Sequence, residues 1–165
     1  MLRTFAGIVT ILLTVGVYGS TDYQPTTFIK GTKLIGSLHQ NNEVEMFLGI
    51  PFAVPPINDL RWEKPIAWTP ENKKEITANK FRAACIQNQR IVNWYKRLIL
   101  DFGSDPRTFD IPEFSEDCLY LNLWRPRELK NNLPVIVYIH GGSNKAGWAY
   151  AVSYTHLRAH ETHTN

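Results

Sequence analysis

The run Pro134-Val-Ile-Val-Tyr-Ile139 constrains the fold more than any other stretch of this sequence. It is continuously apolar and rich in β-branched residues, so a strand built from it cannot leave one face in water. Such a strand fits a sheet covered on both sides, the arrangement of α/β proteins. It ends abruptly in His140-Gly141-Gly142-Ser143. Paired glycines behind a buried strand let the backbone turn sharply and aim N–H groups at one point. Acyl transfer needs such donors, because the carbonyl oxygen becomes an anion in the transition state. A plain Gly-Gly turn would read the same way from these four residues alone.

Upstream, shorter strands are legible. Phe28 to Leu38 alternates loosely around Gly31 and Gly36 and reads as a strand with a turn. Asn41-Asn42 marks a turn, and Val44 to Ile50 reads as a second strand that runs into Pro51 and then Ala53-Val54-Pro55-Pro56. Together they predict an antiparallel hairpin ending in a rigid extended segment. Ile76-Thr77-Ala78 reads as a short strand. Ile91, Trp94, Tyr95, Leu98 and Phe102 recur at helical spacing and predict a helix over 86–102. Gly103 to Pro112 is a loop by composition. Cys118 to Trp124 alternates strictly, with Leu119, Leu121 and Leu123 on one face and Tyr120, Asn122 and Trp124 on the other, which predicts a strand.

The two ends read differently. Arg3 followed by the apolar stretch Phe5 to Val17 and by Val17-Tyr18-Gly19 is the pattern of a secretory signal over residues 1–19. A membrane-spanning helix needs about 20 apolar residues, more than this run supplies. The mature chain is then expected to be secreted, where disulfides form. In residues 151–165, His156, His160 and His163 beside Glu161 have the spacing of metal ligands on one helix face. That reading is rejected. The peptide from Val152 to Thr162 resembles the in-frame translation of a transposon-type sequencing adapter, so the tail is expected to be non-native and no metal is expected. Residues 20–150 carry the information.

With 18 Lys plus Arg against 15 Asp plus Glu, the net charge of +3 gives no reason to expect a nucleic-acid partner. Residues 20–150 contain no Asn-x-Ser/Thr acceptor for glycosylation.

Four blocks, in order, resemble the type-B carboxylesterases, a family that includes cholinesterases and insect esterases. Phe47-Leu-Gly-Ile-Pro-Phe-Ala-Val-Pro-Pro56 is similar to the family's early GIPYA.PP segment. Leu60-Arg61-Trp62 with Pro65 and Trp68 is similar to its RF..P.P...W block. Ser115-Glu-Asp-Cys-Leu-Tyr-Leu-Asn-Leu-Trp124 is a near-complete match to its SEDCLYLNVW signature. Leu133 to Gly147 resembles the strand and loop that hold the oxyanion, an HGGG-type corner of lipases and esterases. The resemblance implies the N-terminal part of an α/β-hydrolase fold: an entry hairpin plus the first strands of a large mixed sheet, incomplete in this chain.

The resemblance also assigns roles. Gly142 and Ser143 would present the oxyanion-hole N–H groups, with Gly141 supporting the turn. Cys85 and Cys118 would form the family's first disulfide, and two cysteines in a secreted chain are expected to pair. Arg61 and Glu116 would form a structural salt bridge. There are departures. Ser143 stands where a third glycine is usual, and its Cβ restricts φ. Asn144 stands where an aromatic is usual. No Trp lies between Trp94 and Cys118, so a cation–π seat for choline is not supported. No G-x-S-x-G elbow is found, and the triad of this fold lies downstream of the oxyanion loop in the order Ser, acid, His. His140 and Ser143 are therefore not expected to be triad members. The implied protein is a secreted serine hydrolase of small carboxylic esters, without cofactor, of which this chain alone is inactive. The alternative is a non-catalytic, neuroligin-type binding relative.

Overall fold

The computed structural model describes residues 23–70, 74–128, 132–143 and 145–150. The signal reading of residues 1–19, Asn144, and the 151–165 tail with its histidines lie outside the described residues. Strands β1 (Thr26–Ile29) and β2 (Thr32–Ile35) form an antiparallel hairpin. Its turn is Lys30-Gly31, both at positive φ, the primed geometry that matches strand twist. The hairpin expected between 28–38 and 44–50 also exists, but only β3 (Ser37–Leu38) contributes its first arm to β4 (Val44–Pro51). Gly36 separates the two pairings, so one sequence stretch serves two sheets.

Strand β5 (Glu75–Thr77) lies parallel to β2, giving a sheet ordered β1-β2-β5. Strand β6 (Ala84–Cys85) precedes helix α1 (Arg90–Asp101), and β7 (Phe114–Ser115) pairs with β6 in parallel. Strand β8 (Tyr120–Pro126) lies antiparallel to β4, completing a sheet ordered β3-β4-β8. The β1-β2-β5 sheet is mixed, β3-β4-β8 is antiparallel and the helix content is small, as suits part of an α/β fold. Helix α1 begins four residues later than its apolar spacing predicts. Residues 84–85 are held by β7, the Gln87 side chain bonds elsewhere, and Asn88 Oδ1 accepts the Arg90 N–H at 3.1 Å to start the helix.

A bulge joins the two larger sheets. The β4–β8 register shifts between Phe47 and Ile50. Inside the bulge the Leu48 N–H donates to Ala78 O at 2.8 Å, and the Gly49 N–H donates to Asn122 Oδ1 at 2.9 Å. Leu34, Phe47, Ile50 and Ala78 form the core between these sheets. A second cluster, Ala84, Val92 and Trp148 with Ile91, Tyr95, Phe109, Phe114 and Tyr150, lies under α1.

A buried charge pair ties β4 to β8. Glu45 is 1 % exposed and accepts from Arg125 Nε at 2.6 Å and from the Tyr23 hydroxyl. Arg125 also donates to Thr26 O at 2.9 Å and lies over the Phe47 ring.

The expectation for 134–139 is corrected. The run is extended but joins no ladder, and Val135, Ile136, Val137 and Ile139 are 77–86 % exposed. A strand forms only against an edge, and none of the described strands is placed beside it. The β8 alternation is real, yet Leu121 and Leu123 remain exposed while Tyr120, Asn122 and Trp124 are half-buried. Exposed apolar segments of this kind drive edge-to-edge association. Residues 20–150 expressed alone are expected to aggregate. A paired Ile136→Lys and Ile139→Lys substitution is expected to raise the soluble fraction several-fold. Light scattering on both proteins checks this; a monomeric unsubstituted segment would reject it.

Candidate active site

The corner after the apolar run is shaped by backbone contacts that only glycine permits. Gly142 has φ +134°, and a Cβ there would lie 1.6 Å from Ala146 O. Its own carbonyl accepts the N–H groups of Lys145 at 3.0 Å and Ala146 at 3.2 Å, closing a tight loop. Gly147 has φ +117°, and a Cβ there would lie 2.5 Å from His140 Nδ1 and 2.6 Å from Gly141 O. His140 Nδ1 is 2.9 Å from Gly141 O. The exposed histidine ring therefore lies against its own loop at Gly141 and Gly147.

Ser143 sits at φ +55°, in the left-handed region that costs a side-chain-bearing residue about 1–2 kcal/mol. The backbone adopts a glycine-like conformation although glycine is absent. Among the described residues, the Gly142 and Ser143 N–H groups have no acceptor. Two adjacent unspent donors are what a developing oxyanion requires. The corner itself is exposed or half-buried. A recess of about 300 Å³ elsewhere is lined by Gly49, Trp68, Arg82, Asp117 and Tyr120, and none of the described residues of 140–147 lines it. Among the described residues no cluster of His, Cys, Asp or Glu is placed to hold a metal ion.

The corner is fastened from outside by residues that the sequence reading passed over. The Gln87 amide bonds Gly147 twice: Nε2 donates to its carbonyl at 2.9 Å and Oε1 accepts its N–H at 2.6 Å. Nε2 also donates to Cys85 O at 3.0 Å. Trp148, 3 % exposed, anchors the next residue against Tyr95 and Phe109 with ring centroids 5.7 and 6.1 Å away. A buried-sized Trp directly after a loop glycine was the available signal.

Cys85 and Cys118 are joined by a disulfide with Cα atoms 5.0 Å apart. Arg61 Nε lies 2.6 Å from Glu116 Oε1, but the side chains are 59 % and 33 % exposed, so the pair contributes about 0–1 kcal/mol. In the Glu45–Arg125 pair the acid is buried and the arginine half-buried.

In the wall of the recess, the Tyr120 hydroxyl donates to Asp117 Oδ1 at 2.8 Å. Burial, that hydrogen bond and the Asp117 charge together push the phenol up from 10.0 to about 12, against the opposing charge of Arg82. The folded protein holds this proton where the unfolded chain has lost it. The contribution is therefore complete below about 10 and is lost as pH rises towards about 12. Tyr120→Phe is expected to flatten the alkaline fall in stability over that window. Urea midpoints measured across it decide the matter: equal slopes for both proteins would disprove the assignment.

Residues 24–162 match the model of the carboxylesterase family, and the match extends into the 151–165 segment. The chain is 39% identical over 120 residues to carboxylesterase 1C of Rattus norvegicus, covering 72% of this chain and 21% of that protein. It is 35% identical over 142 residues to lipase 1 of Geotrichum candidum, covering 77% and 24%. It is 38% identical over 109 residues to fumonisin B1 esterase of Sphingopyxis macrogoltabida, covering 64% and 17%. Among solved structures, a thermophilic PNB esterase superposes with a TM-score of 0.58 at 28% identity, covering 74% of this chain and 22% of that one. The chain belongs to the carboxylesterase family, of the α/β-hydrolase fold. It spans about a fifth of the length of the relatives it matches.

Proposed function

We propose that this chain is the amino-terminal part of a secreted carboxylic-ester hydrolase that works through a serine acyl-enzyme. The observation that carries the reading is the pair of unspent N–H groups at Gly142 and Ser143, on a loop fastened at Gly147 and Trp148. A serine supplied by later sequence attacks the acyl carbonyl, and a histidine takes its proton. The two N–H groups, with the one following the serine, hold the oxyanion. Water then hydrolyses the acyl-enzyme. The names of the relatives, a carboxylesterase, a lipase and a fumonisin esterase, support an ester as the substrate class. The pattern of residues 1–19 and the Cys85–Cys118 bond support an oxidising, extracellular destination. The elbow, the acid and the triad histidine of such an enzyme are expected from later sequence.

Reading the transcript past the codon for Tyr150, with adapter sequence trimmed, tests the proposal and the adapter reading of 151–165 together. A G-x-S-x-G elbow whose serine is labelled by a fluorophosphonate in the expressed product is the expected result. A continuation without that serine would leave a binding relative and end the catalytic reading.

A further inference from the structure

We propose that Gln87 is a positioning residue for the donor amides of Gly142 and Ser143, acting through Gly147; this rests on the ester-hydrolase reading above. Both ends of the Gln87 amide are committed to one residue, Gly147, in the two-point pattern of a β-bridge. Its remaining N–H reaches Cys85 O, so the clamp is seated on the disulfide-bonded shoulder. Among the described residues, these are the hydrogen bonds that connect 140–147 to the rest of the protein.

Gly147 is coupled to the donors from both sides. The His140 ring and the Gly141 carbonyl lie so close to it that no Cβ fits between. The Gly142 carbonyl is held by Lys145 and Ala146, the two residues before it. A displacement of Gly147 therefore moves the loop that carries the donors. Trp148 fixes the depth of the loop, and among the described residues the Gln87 amide has the directional bonds to fix its rotation. Misplacing a reacting group by about 1 Å can cost about a hundredfold in rate. Ser143, exposed and at left-handed φ, lacks a glycine's ease in that conformation and depends the more on an external clamp.

The test uses the protein expressed from its intact gene, with Gln87→Met, which keeps length and apolar bulk, and Gln87→Glu, which keeps the acceptor for the Gly147 N–H. Amide exchange in the peptide spanning 140–148 is expected to rise about tenfold in Gln87→Met, while peptides of β4 and β8 stay unchanged. The kcat for a small ester is expected to fall about tenfold to a hundredfold with KM nearly constant, and Gln87→Glu to fall between wild type and Met. Exchange that rises equally in β4 and β8 marks a general loss of stability and overturns the proposal, as does an unmoved kcat. An inactive wild type overturns the hydrolase reading on which it rests. A normal wild type with an insensitive corner overturns the clamp alone.

Discussion

Arg125→Met is expected to destabilise the protein by about 3–5 kcal/mol, because it leaves the Glu45 carboxylate buried with the Tyr23 hydroxyl as its remaining partner. The pair bridges the Glu45–Arg125 register position of β4 and β8, and Arg125 also holds Thr26 and covers Phe47. Its loss would loosen the first strand, the central strand and the core at once. The double change Glu45→Leu with Arg125→Met is expected to cost much less than the single change. A buried pair exchanged whole for apolar groups loses attraction and desolvation penalty together. Urea midpoints for both singles and the double give the coupling. A double variant as unstable as the sum of the singles would show that the two charges stabilise independently.

The second large effect lies in the covalent tie. Replacing Cys85 and Cys118 by Ala opens a loop closed over a separation of 33 residues. By loop-closure entropy the loss is about 3–4 kcal/mol. It should also be uneven. The bond pins the β6–β7 bridge and the carbonyl of Cys85 that receives Gln87, so exchange should accelerate in 84–87 and 140–148 before it does in β4. Equal acceleration everywhere would mean that the disulfide acts on the unfolded chain alone. Arg61→Ala, by contrast, should change stability little, since its pair with Glu116 is open to solvent.

The buried pair shows where reading the sequence stops. Glu45 and Phe47 share a strand face by simple alternation, but nothing in Val44 to Ile50 says that the acid is buried. Its partner lies in a strand 80 residues away, and no local pattern selects Arg125 over the other arginines. The same holds for Gln87, an ordinary polar residue next to a cysteine, whose meaning appears only when Gly147 arrives beside it. Helix α1 was legible from its apolar spacing, but not its start, which the β6–β7 bridge sets.

The alternating strand of 118–124, the helix, the glycine corner and the family resemblance are legible in the chain because each is written in neighbouring residues, as a backbone period or as a local motif. Which sheet each strand joins, which arginine meets the buried acid and what holds the corner depend on contacts between residues far apart in the chain. The run 134–139, apolar enough for a sheet interior, lies exposed because none of the described strands is placed beside it. Burial is a property of what packs alongside, and a strand's own residues cannot supply it.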